Sequence, residues 1–539
     1  MKTIKSLVLG SAAGLLAMGG AQAADLPVKA KAVEYVKVCS LYGAGFFYIP
    51  GTDTCIKLGG YLRVDTTFNG AGVQDQPAWN GDAGQMNRYR DYFSTRSRLA
   101  LTVDTRTATE YGVVRTFGQE DFQFDTLGGA TFNPNNLSTQ LGNNGNLLNV
   151  AGGGYTAVEM GFIQFAGFTF GRSASAYSTP WHGFPGNNSS NLVGGNDTVT
   201  GVNNIQYTAQ FGNGVSGTIG LEDPTVYNRT AVFNTSYALS SFLTTGNAYG
   251  GVWAPDVVGN IRVDQAWGLF QISAAAHQVS GSYDFLNGVA VPAGATGLAG
   301  AAPTALSEIG GHPETKWGGS VMGALQIKNI PTGAGDDIKF DATYALGDTK
   351  NVISTAGGSP NFAMFSGTGR PGAYQSVGFG ATTDAVWLPN HATTGAVAAL
   401  GDGKLKLTEA WGVRGAFNHN WDPYWSSSLF GSYSQVIYKG AVGDLTTAKG
   451  QYCAAYVTGK AVSADFSCNP SYAVSQLGAV TRWTPVKNLT FSAEVMWFHL
   501  DQKFTGAATL GAAAPKPTTV YEFKDQDTVA LNLRVQRNF

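Results

Sequence analysis

Arginine side chains recur at alternate positions of segments that otherwise have the pattern of β-strands. Arg63 lies on the polar side of residues 57–68, and Arg96 and Arg98 lie on the polar side of residues 92–105. A guanidinium group is permanently charged and presents a planar set of donors that suits carboxylates and phosphates. Neighbouring arginines on one wall would therefore attract and sort charged molecules without making or breaking a bond.

Motifs that would carry catalysis are missing from the sequence. The six histidines form no HExxH pair, and neither a GxSxG elbow nor a Walker-type glycine loop occurs. The net charge of −2 is far from the basic balance typical of nucleic-acid binding. We therefore expect no enzyme activity, no cofactor, no metal site and no nucleic-acid partner.

The elements that position these arginines are strands, because apolar and polar residues alternate with a period of two. In the last strand Leu533 and Val535 lie opposite Asn532 and Arg534, and the chain stops at Phe539. The same pattern predicts about sixteen strands of membrane-crossing length. They cover residues 57–68, 92–105, 109–119, 154–166, 167–173, 199–212, 214–223, 257–266, 267–280, 314–328, 336–347, 406–419, 424–437, 474–484, 488–501 and 526–538.

The connections between these strands alternate between short and long. A tight connection around Thr107 follows the second strand, whereas long segments lie near 69–91, 120–153, 174–198, 224–256, 281–313, 348–405, 438–473 and 502–525. Short periplasmic turns and long extracellular loops are typical of outer-membrane barrels, which pair every backbone group inside lipid. The sequence thus predicts an all-β protein, a transmembrane antiparallel barrel of about sixteen strands.

The amino terminus has the features of an export signal. Lys2 and Lys5 precede an apolar run, and Ala21 to Ala23 form a small-residue cleavage site, so residues 1–23 are predicted to be a signal peptide. We assign residues 24–56 to an N-terminal periplasmic segment and residues 57–539 to the barrel.

The four cysteines form two pairs that are close in sequence. Cys39 precedes Cys55, and Cys453 precedes Cys468. An exported protein meets an oxidising compartment, and neither pair has the spacing of a zinc site. Two disulfide bonds are the expected outcome.

Tryptophans cluster where the predicted strands end. Amphipathic rings prefer the headgroup level of a bilayer, so these residues are candidates for two aromatic girdles, although aromatic residues also suit ordinary sheet packing. The candidates are Trp267, Trp317, Trp411, Trp425, Trp483 and Trp497.

Residues 39–63 read CSLYGAGFFYIPGTDTCIKLGGYLR and follow a mature start ADLPVKAK. This stretch, together with the strand order and the terminal Phe539, resembles the porin family of alphaproteobacterial outer membranes. The resemblance implies a sixteen-stranded, trimeric general-diffusion porin whose third extracellular loop folds into the lumen and sets the pore size.

Such a channel would take its selectivity from the residues that line it. The predicted pore-lining and constriction residues are Arg63, Arg96, Arg98, Arg115, Arg262, Arg534, Asp65, Asp104, Trp181 and His182. The third loop, residues 173–198, has Asp197 as its one acid, while Glu120, Asp121 and Asp125 are expected at the start of the preceding loop. If those acids stay outside the lumen, the constriction is net positive and the pore prefers anions.

The carboxyl-terminal strand has a second predicted role. Val535 and Phe539 resemble the signal that outer-membrane assembly machinery recognises in barrels, and Phe539 would also serve as the last aromatic of a girdle. The predicted partners are this machinery, membrane lipid and lipopolysaccharide, two further copies in a homotrimer, and small hydrophilic solutes.

Three other functions fit parts of the sequence. A barrel enzyme would need a Ser/His pair at the rim, and an adhesin or phage receptor would act through the long loops. A solute-selective channel would use a track of aromatic and arginine side chains, such as Trp181 with the arginines. Passive diffusion of small hydrophilic solutes is the leading hypothesis.

Overall fold

Apolar and polar residues alternate along each strand, and this alternation builds the wall of the protein. The structure is a computed structural model and describes residues 37–69, 92–125, 154–190, 192–224, 230–236, 247–284, 307–353, 361–390, 401–511 and 516–539. The predicted signal peptide lies outside these residues, as does the first part of segment 24–56. Contacts within the chain divide it at Lys57, so the two parts are described separately.

Residues 37–57 form a small disulfide-linked unit. A 3-10 helix spans Ser40–Tyr42, and strand β1 (Phe47–Tyr48) pairs antiparallel with the start of strand β2 (Thr54–Phe68). Cys39 and Cys55 are bonded, as predicted, and both are buried together with Phe46. The disulfide joins the segment just before the 3-10 helix to the start of β2.

Sixteen antiparallel strands form a closed barrel in the described part of the chain, as the sequence predicts. They are β2, β3 (Phe93–Thr109), β4 (Gly112–Asp125), β5 (Gly154–Phe165), β6 (Phe168–Ser173), β7 (Val202–Gly212), β8 (Val215–Glu222), β10 (Asp256–Gln265), β11 (Gly268–Val279), β12 (Lys316–Lys328), β13 (Asp337–Leu346), β18 (Glu409–Asn420), β19 (Trp425–Ile437), β20 (Tyr472–Val486), β21 (Leu489–Gln502) and β24 (Gln526–Asn538).

The first and last barrel strands meet and close the ring. β2 pairs with β24 from Tyr61 opposite Asn538 to Phe68 opposite Leu531. The chain end is held by two backbone hydrogen bonds, because Gly60 donates to Phe539 at 3.3 Å and Phe539 donates to Gly60 at 3.1 Å. A side chain at Gly60 would lie 2.0 Å from the Ala100 carbonyl oxygen, so this close approach requires glycine.

The two faces of the wall differ as the alternation predicts. Apolar side chains such as Leu58, Ile219 and Ile261 are about 60 % exposed on the outside. Inward neighbours such as Asp65 and Asp121 are fully buried. An apolar outside is the surface that a bilayer core requires.

The six candidate girdle tryptophans are all exposed on the barrel surface and lie near strand ends. Trp267, Trp425 and Trp483 lie near short turns, and the Trp425 and Trp483 rings stack with centroids 5.9 Å apart. Trp317, Trp411 and Trp497 lie toward the opposite strand ends. This two-level arrangement is that of aromatic girdles at the two membrane interfaces.

Two strand ends differ from the prediction. β3 continues through Thr107 to Thr109, and the tight turn lies at residues 110–111. β4 extends to Asp125, so Glu120 and Asp121 belong to a strand and not to the start of a loop. Both strands reach beyond the apolar stretch because their ladder pairing continues as far as Arg96 opposite Asp125.

Long connections contain secondary structure that the sequence pattern did not predict. One small sheet joins β9 (Ala231–Asn234), β16 (Thr383–Trp387) and β17 (Lys406–Leu407). A second joins β14 (Phe362–Ser366), β15 (Gln375–Gly380), β22 (Ala507–Leu510) and β23 (Thr519–Phe523). The helices are α1 (Ser307–Gly310), α2 (Lys350–Ile353) and α3 (Ala448–Val457). Within the described ranges, no helix has the length and apolar character needed to span a membrane.

These connections share one hydrophobic cluster, which we call the loop core. It unites Phe233, Phe365, Tyr452 and Phe523 from four different connections. The cluster continues onto inward-facing residues near the extracellular ends of barrel strands, among them Val436, Val474 and Phe498, which are fully buried. The connections therefore pack as one body against this part of the wall.

The second disulfide holds the α3 part of the loop core. Cys453 and Cys468 are bonded across 15 residues, as predicted, and such a crosslink is worth about 3 kcal/mol in the chain-entropy model. Replacing both with alanine should increase proteolysis within residues 438–471 and leave the barrel folded. Limited proteolysis followed by mass spectrometry measures this. The double variant Cys39→Ala/Cys55→Ala is the control, and equal cleavage in both variants would contradict a local role.

Candidate functional site

The connection after β6, residues 174–201, runs through the barrel interior; we call it L3. Its backbone is held by side chains from strands around the wall. Asn260 and Gln271 donate to the carbonyls of Ala176 and Ser178 at 2.6 Å, while Gln476 accepts from Val193 N at 2.6 Å. L3 is thus tied to β10, β11 and β20 at once. A loop fixed in this way narrows the interior, as the resemblance implies.

Glycine allows L3 to pass close to the wall. A side chain at Gly195, where φ is +56°, would come within 2.6 Å of both Arg414 Nη2 and Asp341 Oδ1. Arg414 Nε bonds to Asp341 Oδ2 at 3.0 Å, and both residues are fully buried beneath the loop. This buried ion pair lies directly against L3.

Asp65 lies between two predicted pore-lining arginines. Its carboxylate accepts from Arg96 Nη2 at 2.6 Å and from Arg534 Nε at 2.7 Å. All three are more than 90 % buried, and they come from β2, β3 and β24. The structure brings these residues together, as the register of the closing strands requires, but it encloses them at the barrel seam.

Arg98 is also neutralised. Its Nη1 lies 2.5 Å from Asp121 Oδ2 and 3.6 Å from Glu159 Oε1, and its Nε donates to Gln123 at 2.6 Å. The expectation that Asp121 would belong to a loop is therefore wrong. It faces inward from β4 and cancels the charge of Arg98.

Arg63 differs from its neighbours. It is half-buried, its Nε donates to Gln536 Oε1 at 2.8 Å, and its guanidinium lies 4.4 Å from the centroid of the Tyr61 ring. No described carboxylate approaches it within 4.0 Å. Among the described residues, Arg63 is thus a wall arginine without a carboxylate in ion-pair contact.

The comparisons with known proteins agree with this geometry. The family described as the Porin subfamily matches residues 25–532. The chain belongs to this family. The porin Omp2b of Brucella suis biovar 1 is 34 % identical over 268 residues, which are 49 % of this chain and 63 % of that protein. Porin Omp2b of Brucella abortus strain 2308 matches with the same identity and coverage. The alignment thus spans less than two thirds of these relatives.

A solved structure shares the fold. The outer membrane channel DcaP of Acinetobacter baumannii has a TM-score of 0.51 with 13 % identity, covering 91 % of this chain and 99 % of that one. At this identity the likeness concerns the fold alone. This porin is accordingly a multi-pass β-barrel of the bacterial outer membrane, as its sequence predicts.

On the periplasmic half of the porin wall, Arg115 forms a second charged group. Its Nη2 lies 2.9 Å from Asp104 Oδ2, and Arg106 reaches the same carboxylate at 3.0 Å. Sequence reasoning missed Arg106, because it placed a turn at Thr107. Arg106 lies an even number of positions after Arg98 and Asp104. The alternation therefore places it on the same face of the strand, and this was the available signal.

Arg262 lies near a short turn at the porin's periplasmic edge. It pairs with Asp264 at 3.2 Å, and Lys328 approaches the same carboxylate at 3.6 Å. Asp264 is half exposed, so water screens both contacts. Arg262 lies two positions after Asn260, which contacts L3, on the same strand.

Trp181 and His182 have different surroundings. The prediction that Trp181 lines the pore needs correction, because only 3 % of this residue is exposed and it packs in a cluster with Tyr177, Val258 and Met322. Its apolar ring fastens L3 to β10 and β12. His182, the next residue, is exposed.

The chain end faces outward. Val535 is 38 % exposed on the outer surface and pairs with Val64 and Phe491, and Phe539 is 60 % exposed. Both side chains are thus available on the barrel exterior. Their role in assembly stays a prediction.

The connection after β13 holds L3 from the extracellular side. Asn196 donates to Asn351 Oδ1 at 3.1 Å, and Asn351 donates to Asp348 Oδ2 at 2.9 Å. Asp348 also accepts from Ser320 of β12 at 2.6 Å. Burial raises the pKa of Asp348 to about 7 and lowers the pKa of Lys350 to about 7.

Replacing Asp65 with asparagine should destabilise the barrel seam. The substitution removes the carboxylate that the buried Arg96 and Arg534 share, and breaking a buried ion pair from one side costs about 3 to 5 kcal/mol. The temperature at which the folded band converts to the unfolded band on a denaturing gel measures this. Asp264→Asn is the control, since an exposed pair is worth about 0 to 1 kcal/mol. Equal shifts for the two variants would contradict the seam assignment.

Asp348 should make stability depend on pH. Its carboxyl has an ordinary pKa of about 3.9 when unfolded, so the folded state holds an extra proton between that value and about 7. Stability therefore falls as pH rises through this window and levels off above it. The opposite effect of Lys350 begins only above pH 7, because its folded pKa is the lowered one.

Asp348→Asn keeps an acceptor for Ser320 and removes the titration. The melting temperature of the variant relative to the parent, followed by circular dichroism in detergent, should rise between pH 5 and pH 7.5. A difference that stays constant over this range would show that Asp348 titrates normally.

Proposed function

We propose that this porin forms an aqueous channel for the passive diffusion of small hydrophilic solutes and ions. The observation that carries the proposal is L3, which crosses the interior of a closed sixteen-stranded barrel and is bonded to the wall on several sides. A barrel of this size leaves room for water, and an internal loop reduces that room to a constriction.

The proposal assigns the protein to channels and not to enzymes, and it requires no cofactor. Transport down a gradient needs a path and a lining, whereas catalysis needs a nucleophile or a metal centre. Among the described residues, no group of three potential metal ligands occurs. Several charged groups of the interior are arginine–carboxylate pairs that bind one another.

The proposed partners follow from the outer surface. Its apolar band, which includes Leu58, Ile219 and Ile261, suits membrane lipid and the acyl chains of lipopolysaccharide. We further propose a homotrimer, and assembly machinery that reads Val535 and Phe539. The assignment of residues 24–56 to the periplasm belongs to the same proposal.

Charge around L3 favours anions. Arg482 and Arg534 both bond to Asn188 of L3, and Glu494 accepts from the backbone of Asn188 and from Ser189. Arg96 and Asp65 form a buried ion pair, so among these described residues Arg63, Arg482 and Arg534 remain near the carboxylate of Glu494. This local excess of positive charge attracts anions into a water-poor constriction.

Planar-bilayer recordings of the full protein test both parts of the proposal. We expect step-like currents in potassium chloride, and a reversal potential in a salt gradient that indicates chloride preference. A protein that folds and inserts but carries no current would refute the channel, and clear cation preference would refute the charge assignment.

Arg63→Gln should weaken the anion preference. A unit charge about 8 Å away in water attracts chloride and repels potassium by about 0.5 kcal/mol each, so the chloride-to-potassium permeability ratio should fall about fivefold. Arg98→Gln/Asp121→Asn is the matched control, because it removes an ion pair and leaves the net charge of the wall unchanged. A larger effect of this double variant than of Arg63→Gln would contradict the assignment of Arg63.

A further inference from the structure

Two phenylalanine rings face the interior of the barrel, where polar residues are expected. Phe117 of β4 lies opposite Phe162 of β5, and their ring centroids are 5.3 Å apart with the planes inclined by 28°. The inward direction follows from the alternation, because Phe122 and Phe124 of β4 are exposed on the outside while Asp121 and Gln123 are buried inside, and Phe117 lies an even number of positions from Asp121. Ile163, next to Phe162, likewise faces outward.

Polar and charged groups surround this pair, which we call the aromatic patch. Asp104 lies opposite Phe117 in the ladder, and Arg106, Arg115 and Gln164 form the next row toward the short turns. The Arg115 guanidinium lies 5.2 Å from the Phe117 centroid and 5.5 Å from the Phe162 centroid. Arg106 and Arg115 both bond to the Asp104 carboxylate here.

The aromatic patch remains accessible. Phe117 and Phe162 are half-buried, and each arginine side chain keeps 29 % of its surface exposed. The residue opposite Phe162 on β6 is Gly171, which has a φ of +116° and offers no side chain to cover the ring. One side of the patch is therefore open to the interior.

The patch lies next to L3 along the channel axis. L3 ends at Gly201, whose backbone N–H donates to the Glu159 carbonyl at 3.1 Å. Phe162 follows Glu159 on the same strand, toward the short turn that joins β5 to β6. A solute that passes L3 therefore meets the aromatic patch on the periplasmic side.

Water-exposed phenyl rings are unfavourable in a channel wall unless something covers them for part of the time. A flat apolar group gains by stacking on the pair, and its negative substituent gains from Arg115 and Arg106. A compact inorganic ion uses only the charge, and a neutral sugar or alcohol uses only the rings or the hydrogen bonds.

We propose that Phe117, Phe162, Arg106 and Arg115 form a subsite for small organic anions that combine a flat apolar face with a carboxylate. The inference rests on the proposed channel function and adds a solute preference to it. The subsite retains such solutes just after the constriction and raises their local concentration there. A contrasting role for the rings, in which they only support Arg115, predicts no such preference.

Benzoate, acetate and benzyl alcohol are suitable probes for the parent protein in planar bilayers. Benzoate has both features, acetate lacks the ring and benzyl alcohol lacks the charge. Benzoate should reduce the potassium chloride current at about fivefold lower concentration than acetate, a ratio in keeping with one aromatic stacking contact. Benzyl alcohol should have the weakest effect. Equal effects of benzoate and acetate would overturn the subsite, while absence of any current without probe would instead refute the channel.

Substitutions in the wall test whether the aromatic patch causes the difference between benzoate and acetate. Phe117→Leu/Phe162→Leu keeps apolar volume and removes the ring faces, so it should abolish the difference between benzoate and acetate. Phe170→Leu is the matched control, because Phe170 of β6 is 42 % exposed on the outside. Arg115→Gln should reduce the difference between benzoate and benzyl alcohol. If the double variant conducts and still distinguishes benzoate from acetate, the patch is not the subsite.

Discussion

Closure of the backbone hydrogen-bond ladder is the constraint on which the rest of this structure depends. A strand edge left open in lipid would expose unpaired N–H and C=O groups at a cost of several kcal/mol each. β2 and β24 remove that edge, and their register places Asp65 opposite Arg534. The contact at Gly60 and Phe539 completes the ladder where the chain ends. The seam is therefore both the last backbone pairing and the place where three charged side chains from three strands meet.

The same constraint explains how much of the fold the sequence could predict. Closure forces every strand to present one face to lipid and one to the interior, so a period of two persists along each strand and sixteen strands are recognisable. The two wrong strand ends lie where the residues on both faces are mostly polar, so that the contrast between apolar and polar positions is weak. At Thr107 the chain continues as strand among polar residues, and at Glu120 and Asp121 charged residues were taken for a loop although their alternation continues from Gln119 to Gln123.

The site was harder to predict because its contacts are not periodic. L3 is fastened by single hydrogen bonds to residues far away in sequence, as from Gln476 to Val193 and from Asn260 to Ala176. The loop core also depends on contacts between distant parts of the chain, since the paired strands β9 and β16 are separated by more than 140 residues of sequence. The loop core also explains why inward-facing residues such as Val436 and Phe498 are apolar. These side chains pack against the connections and do not line a water-filled space. The polar interior begins where the loop core ends.

Charge pairing separates the arginines that hold the wall together from those that act on solutes. Arg96, Arg98 and Arg414 each lie within 3 Å of a buried carboxylate, so their fields fall off as those of dipoles and they contribute little at the position of a passing ion. Arg63 contacts an amide and an aromatic ring among the described residues, and Arg115 shares Asp104 with Arg106. The sequence shows all of these arginines on the inner face with equal weight. Selectivity depends on which of these arginines have no carboxylate beside them. That information requires the register of neighbouring strands, which the sequence alone does not provide.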